Sequence, residues 1–362
     1  MSRLSEHNKK VIRLQKLIEE QNLDGICLFT FVNYSWFSAG GSNRVVTGSE
    51  RGCSVLILMQ DGTKYVTAPQ NEAARIINEE VGELDFKLIT FPWYENVIRV
   101  IKDRLPNKKL GADVDIPGMI NLRVEIDRLR FSLTDEEVLK ARDLSMECSL
   151  EIAKICANLK PGMTEYQIGA EISKKFLEKE IRPAVLLIGV DERLKYCKHP
   201  VLTDKSLEKY AMISIVGEKH GLHTTLTRSV NFGKISSELQ QRYDAVCLVD
   251  AMMCNSTKLG TSVQNVFEFC KKAYEKVGFK DGWQAHHQGG AIGYASREFR
   301  ANERDEIIRY HQMFGWNPII EGTKSEETIL VGNKGFETLT SVPHWWPTKE
   351  YNGVVRPQIL EF

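Results

Sequence analysis

Apolar positions change their spacing twice along this chain. Val11, Leu14, Leu17 and Ile18 recur three or four apart, the spacing that lines one face of a helix, and Gly25-Ile-Cys-Leu-Phe after them reads as a buried strand. Ser54 to Met59 and Lys64 to Thr67 are strand-like runs joined through Asp61-Gly62, a pair suited to a tight hairpin turn. Helical spacing returns over 71–81 and 94–105, with a strand at 86–89 between them. From Thr134 the rhythm alters. Thr134-Asp-Glu-Glu137 and Thr164-Glu-Tyr-Gln167 are capping boxes, in which side chains satisfy the free N–H groups at a helix start. They open helices that run to about Asn158 and Lys179, separated by Pro161-Gly162. A strand-rich stretch covers 184–232. The order then repeats, with helices over 237–255 and 263–277 around a break at Gly260, followed by strands to the end. Two rounds of helix, helix and strands predict an internal duplication. The expected organisation is a small α/β domain over 1–131 and an α+β domain over 132–362.

Length agrees with two domains, since 362 residues exceed the size at which one core usually stops growing. Lys+Arg and Asp+Glu both number 48, so the chain lacks the basic excess of a nucleic-acid or membrane-surface binder. No apolar run reaches the ~20 residues that span a bilayer. The polar start, Met-Ser-Arg-Leu-Ser-Glu, is unlike a secretory signal and leads us to expect a cytoplasmic protein. Zero net charge suits self-association. The eight cysteines include no C-x-x-C pair, which argues for free, buried thiols rather than a thiolate metal site. Gly40-Gly41 and Gly289-Gly290 lack the full pattern of a phosphate loop, so no nucleotide site is expected.

Five short frames then lie in order across the second domain. Gly189 to Pro200 ends in Lys198-His199-Pro200. Ser214-Ile-Val216 precedes Gly221-Leu-His-Thr-Thr-Leu-Thr-Arg228. His286-His-Gln-Gly-Gly-Ala-Ile-Gly293 follows, then Trp316-Asn-Pro318, then Glu326-Glu-Thr-Ile-Leu-Val331. Together they resemble the histidine loop, the D-x-G and G-Y-x-x-D-x-T-R frames, the H-x-x-G-H-G-I-G frame, and the Glu-Pro and Glu-Asp-Thr strands of the pita-bread metallopeptidases. That superfamily includes creatinase, prolidase and Xaa-Pro aminopeptidase. The resemblance implies a C-terminal pita-bread domain, with two helix pairs backing a curved antiparallel sheet, behind a creatinase-like N-terminal domain. It also implies a homodimer in which the partner's N-terminal domain completes the cleft. Trp36, Phe37, Asn43 and Arg44 fall where creatinase places an aromatic and an arginine for that purpose. A packed aromatic beside a solvated arginine is the plainer alternative.

The departures from the family matter most. Its metal ligands fall on Ser214, Thr225, Gly290, Asn317 and Glu326, and only Glu326 is a carboxylate. Two dications held by one negative charge are very unfavourable in a cleft. The expectation is therefore no metal and no other cofactor. By resemblance to creatinase, His199 would be the acid/base and His286 a substrate-side histidine. Glu326 would hold a cationic group, or else pair with Arg228. Arg297, Arg228 and Asn317 are further candidates for contact with a small substrate. The implied activity is metal-independent hydrolysis or lysis of a C–N bond in a small amino-acid-like or amidino compound. Two alternatives stay open: a peptidase of Xaa-Pro type with a metal site rebuilt from His220, His223 or His287, and a non-catalytic ligand-binding descendant.

Overall fold

The computed structural model describes residues 2–362. It separates into two compact units. One runs to Glu137 and takes in His220–Leu222; the other comprises Val138–Lys219 and His223–Phe362.

In the first unit, helix α1 (Arg3–Glu20) starts where the Ser2 side chain accepts from the backbone of Ser5. It leads into β1 (Gly25–Thr30), α2 (Phe31–Phe37), β2 (Arg51–Met59), β3 (Lys64–Pro69), β4 (Lys87–Phe91), α3 (Val97–Arg104), β5 (Leu110–Ala112), β6 (Ile120–Asn121) and α4 (Arg123–Leu129). The sheet order is β4-β3-β2-β1-β5-β6. The hairpin between β2 and β3 turns at Gly62, whose φ of +86° explains the glycine. Cys27, Phe29, Val55, Ile57 and Ile101 form a core on the sheet. The helix expected over 71–81 is only partly regular. One α turn, Ala73–Arg75, passes into the wider π-type turn Ile76–Glu80.

The candidate dimer loop needs correction. Thr30 caps α2, and Trp36 and Phe37 on that helix are fully buried in their own unit. Asn43 is buried too and donates to the Ser54 carbonyl at 2.7 Å. Arg44 lies over the Phe31 ring, 3.5 Å from its centroid. Two side chains with no exposed surface cannot meet a ligand in another subunit, so Trp36 and Phe37 are packing residues.

The second unit contains both rounds of the repeat. Helix α5 (Asp135–Ala157) begins at the junction, and both capping boxes form as expected. After α6 (Glu165–Leu177) come β7 (Arg182–Val190), β8 (Tyr210–Lys219) and β9 (Leu222–Asn231). The second round has α7 (Ser237–Ser256) and α8 (Val263–Lys276), then β10 (Gly289–Ile292), β11 (Phe299–Arg300), β12 (Met313–Trp316), β13 (Glu327–Gly332), β14 (Gly335–Thr338) and the terminal β15 (Leu360–Glu361). The two larger sheets are ordered β15-β9-β8-β7 and β11-β10-β12-β13-β14, beside two short two-stranded hairpins. Backbone bonds stitch them together: His223 N to Gly293 O at 2.8 Å and Thr227 N to Glu326 O at 3.0 Å. The seam brings the five frames into one place.

Strand β9 is buried along its whole length, and its alternation decides what each residue can reach. Thr225 and Thr227 face the seam. Leu226 and Arg228 point the other way, into the body of the unit.

Candidate functional site

A cavity of about 260 Å³ opens at the seam, lined among others by His199, Ser214, Thr225, His287, Arg297 and Glu326. A larger one, about 590 Å³, opens beside Glu327, Thr338 and Pro357 and contains none of the histidines.

The loop that carries His199 is tied down at both ends by one buried carboxylate. Glu165, in the first turn of α6, accepts from Val190 N at 3.1 Å and from Thr203 N at 2.8 Å, and pairs with Arg193. The neighbouring Ile188 N–Pro200 O bond holds the loop against β7. His286 and His287 sit on the extended link between the short turn Gly282–Ala285 and β10. Gln288 fixes that link, donating to Trp283 O at 2.8 Å and accepting from the Tyr274 hydroxyl at 2.9 Å.

The floor of the cavity is a polar network centred on Glu326. Glu326 Oε1 accepts from Thr225 Oγ1 at 2.7 Å and from Asn317 Nδ2 at 3.4 Å. Its Oε2 accepts from Thr227 Oγ1 at 2.7 Å and pairs with Lys324 Nζ at 2.7 Å. Lys324 also reaches Ser214 Oγ at 3.4 Å, and Ser214 lies 2.6 Å from Thr227 Oγ1. Four donors saturate the four acceptor positions of a carboxylate. Burial raises the Glu326 pKa, but Lys324 and the two threonine hydroxyls outweigh it and hold the group down at about 2. Glu326 stays ionised, and its charge is already met.

The rim differs. His199 Nε2 and His286 Nε2 are 2.9 Å apart, so one ring donates to the other. Burial lowers the pKa of both His286 and His287 to about 3; the adjoining His287 adds to this for His286, and Arg297 and Arg300 add to it for His287. His199 is lowered as well, first by partial burial and then by Lys324. All three imidazoles are therefore neutral near pH 7. Arg297 completes the wall. Its Nη1 donates to Gly290 O at 2.9 Å and Gly315 O at 2.8 Å, which fixes the guanidinium plane beside the cavity. Lys324, Arg297 and Arg300 against Glu326 leave the lining net positive.

The structure thus brings His199, His287, Arg297, Asn317 and Glu326 to one cavity, with His286 bonded to His199 behind them. Two expectations change. Arg228 is fully buried on the opposite face of β9, where it pairs with Glu327 at 2.6 Å and donates to Thr340 O at 2.7 Å. It touches neither the cavity nor Glu326. Glu326 cannot hold a substrate cation, because Lys324 and the hydroxyls use its oxygens. Lys324 was missed, although it sits two residues before Glu326 and strand alternation places such a pair on one face. Of the other histidines, His223 is buried against the Gly293 carbonyl at 3.2 Å, outside the cluster at the rim.

Comparison with known proteins decides the family. Residues 136–333 match the model of metallopeptidase family M24, and residues 10–143 match the creatinase/prolidase N-terminal domain. The chain belongs to metallopeptidase family M24. An uncharacterized peptidase of Staphylococcus aureus (strain MW2) is 21% identical over 356 residues, covering 91% of this chain and 98% of that protein. Among solved structures, the dipeptidase PepE from Mycobacterium ulcerans aligns with a TM-score of 0.80 at 16% identity, covering 99% of each chain. The prolidase from Pyrococcus horikoshii OT3 aligns at 0.79 and 16%, covering 93% of this chain and 99% of that one. The N-terminal domain of the FACT complex subunit SPT16 from chickpea aligns at 0.69 and 12%, covering 93% and 97%. These likenesses give the chain the two-domain pita-bread fold.

A metallopeptidase family name implies metal, and the floor does not fit the family's pair of ions. Ser214, Thr225 and Asn317 offer neutral oxygens, already in use except for Asn317 Oδ1. The Lys324 ammonium lies within contact distance of two of the five ligand positions and would face any cation there. At the third position even a methyl group has no room: a Cβ on Gly290 would lie 2.2 Å from Phe299 O, across the β10–β11 pairing. The M24 frame survives here as a hydrogen-bonded floor.

Proposed function

We propose that this M24 member hydrolyses a C–N bond in a small, carboxylate-bearing, amino-acid-like compound, without the two-metal centre of its family. The observation that carries this reading is the neutral His199–His286 pair, joined at 2.9 Å at the mouth of a net-positive cavity. Arg297 holds the substrate carboxylate, while its Nη1 stays on the two backbone carbonyls. Asn317 Oδ1, buried with no protein partner, accepts from a substrate N–H.

Water near His199 loses a proton to Nδ1, the nitrogen that keeps a lone pair when Nε2–H donates to His286 Nε2, as its oxygen attacks the carbon of the C–N bond. The imidazolium then returns that proton to the nitrogen, which leaves as the bond breaks, and water has been divided between the two products. His286 acts through His199 by fixing its ring and tautomer. The electropositive lining favours an anionic substrate, which removes the amidino cation from the expected class.

The test is a screen of N-acyl amino acids and dipeptides with chelator present throughout. Turnover that persists in chelator and disappears in His199→Asn is the expected result. Turnover that requires added Mn²⁺ or Co²⁺ would overturn the reading in favour of a Xaa-Pro type peptidase, the activity carried in the names of the prolidase and dipeptidase neighbours.

A further inference from the structure

Three imidazoles meet at the rim. One ring nitrogen from each of His199, His286 and His287 can be chosen so that all three lie within 4.8 Å of one another. The ring centroids of His286 and His287 are 4.1 Å apart, and that of His199 lies 4.7 and 6.0 Å from them. Hydrogen bonding explains only one of these approaches. Nδ1 of His286 and Nδ1 of His287 are both buried without a protein partner, an unfavourable state for a polar atom unless something else meets it. The rings are neutral, the form that presents a lone pair.

We propose that His199, His286 and His287 form a binding site for a single late first-row transition-metal ion, of which Zn²⁺ is the type. The site stands apart from the family's ligand positions on the floor. A bound ion takes the lone pair of His199 and inhibits turnover; that consequence rests on the proposed role of His199, whereas the binding itself does not.

The chemistry selects the class of ion. Imidazole suits Zn²⁺, Ni²⁺ and Cu²⁺, while Mg²⁺ and Ca²⁺ require oxygen ligands that this cluster does not offer. Zn–N bonds of about 2.0–2.1 Å around a tetrahedral ion place the nitrogens about 3.4 Å apart. The nitrogens, all within 4.8 Å of one another, must therefore close by no more than roughly 1.4 Å, and His199 is the exposed member of the three. The fourth position is open to water. Affinity is moderated by charge, since Arg297, Arg300 and Lys324 repel a dication at His287 and Glu326 attracts it. Micromolar binding is expected, strengthening from Co²⁺ to Cu²⁺.

The experiment uses the full chain, stripped with chelator and exchanged into metal-free buffer. Zn²⁺ is titrated in a calorimeter, and Co²⁺ is followed by its visible absorption. One ion per chain is expected. His287→Gln and His199→Asn should each weaken binding by at least ~100-fold, the upper end of what loss of an outer-shell partner costs. His199 lies on an exposed loop, so its variant reports even if His287→Gln fails to fold. No binding, two ions per chain, or unchanged affinity in His199→Asn would overturn the site. If the ion binds as described and turnover continues at full rate, the acid/base role of His199 falls while the metal site stands.

Discussion

The floor and the rim of one cavity were assembled by the same seam, yet they are in opposite states. On the floor both oxygens of Glu326 are fully met and its charge is balanced by Lys324 at 2.7 Å, with only the neighbouring Asn317 Oδ1 left without a partner. On the rim two ring nitrogens have none, and the three imidazoles are held neutral and close. A saturated carboxylate stabilises and specifies a structure but has nothing left to give a substrate. Unsatisfied, neutral bases with an open approach retain the capacity for chemistry. The contrast teaches that family membership locates the site without saying which part of it still works.

The largest expected effect breaks the rim. His199→Asn preserves shape but removes the titrating group, and kcat should fall by ~10²–10⁴ with KM nearly unchanged. A variant that turns over at the parental rate would move the chemistry elsewhere. The next effect breaks the floor. Lys324→Met leaves Glu326 buried without its countercharge, which should cost about 3–5 kcal/mol in chemical denaturation. Adding Glu326→Gln should recover most of that loss, because a pair removed together leaves no orphan. If the two losses simply add, Lys324 and Glu326 are not coupled as the geometry implies.

Acid sharpens the same comparison. The folded pKa of Glu326 is depressed from 4.5 to about 2, so its stabilisation is fully present above pH 4.5 and is lost as pH falls through 2. The stability gap between the parent and Glu326→Gln should therefore shrink across that window, by on the order of 3 kcal/mol. A gap independent of pH would mean that the carboxylate is not held ionised by its neighbours. The smallest effect concerns the wall between floor and rim. Arg297→Lys keeps a cation but loses the planar fork, and should raise KM for a carboxylate substrate by roughly 10-fold with little change in kcat.

Much of this was legible from residues close together in the chain. The capping boxes at Thr134 and Thr164 are local devices, and both form where their spacing places them. The five frames kept their order, so the place of the site could be read. What escaped was set by alternation or by distant packing. Arg228 follows Thr227 by one residue and so turns to the other face of β9, where Glu327, not Glu326, awaits it. Lys324 shares the face of Glu326 but lies outside the motif that drew attention. Trp36 and Phe37 fall where creatinase places a binding aromatic, whereas α2 folds them into the core. The rim cluster joins His199 to His286 across 87 residues, and only the seam between two sheets creates that contact.

Equilibrium dialysis against Mn²⁺ and Zn²⁺, with the parent and Glu326→Gln compared, tests most directly the proposal that the floor holds neither of the family's two ions. We predict no more than one ion per chain, with that number unchanged in Glu326→Gln. Two ions per chain, both lost in Glu326→Gln, would contradict it.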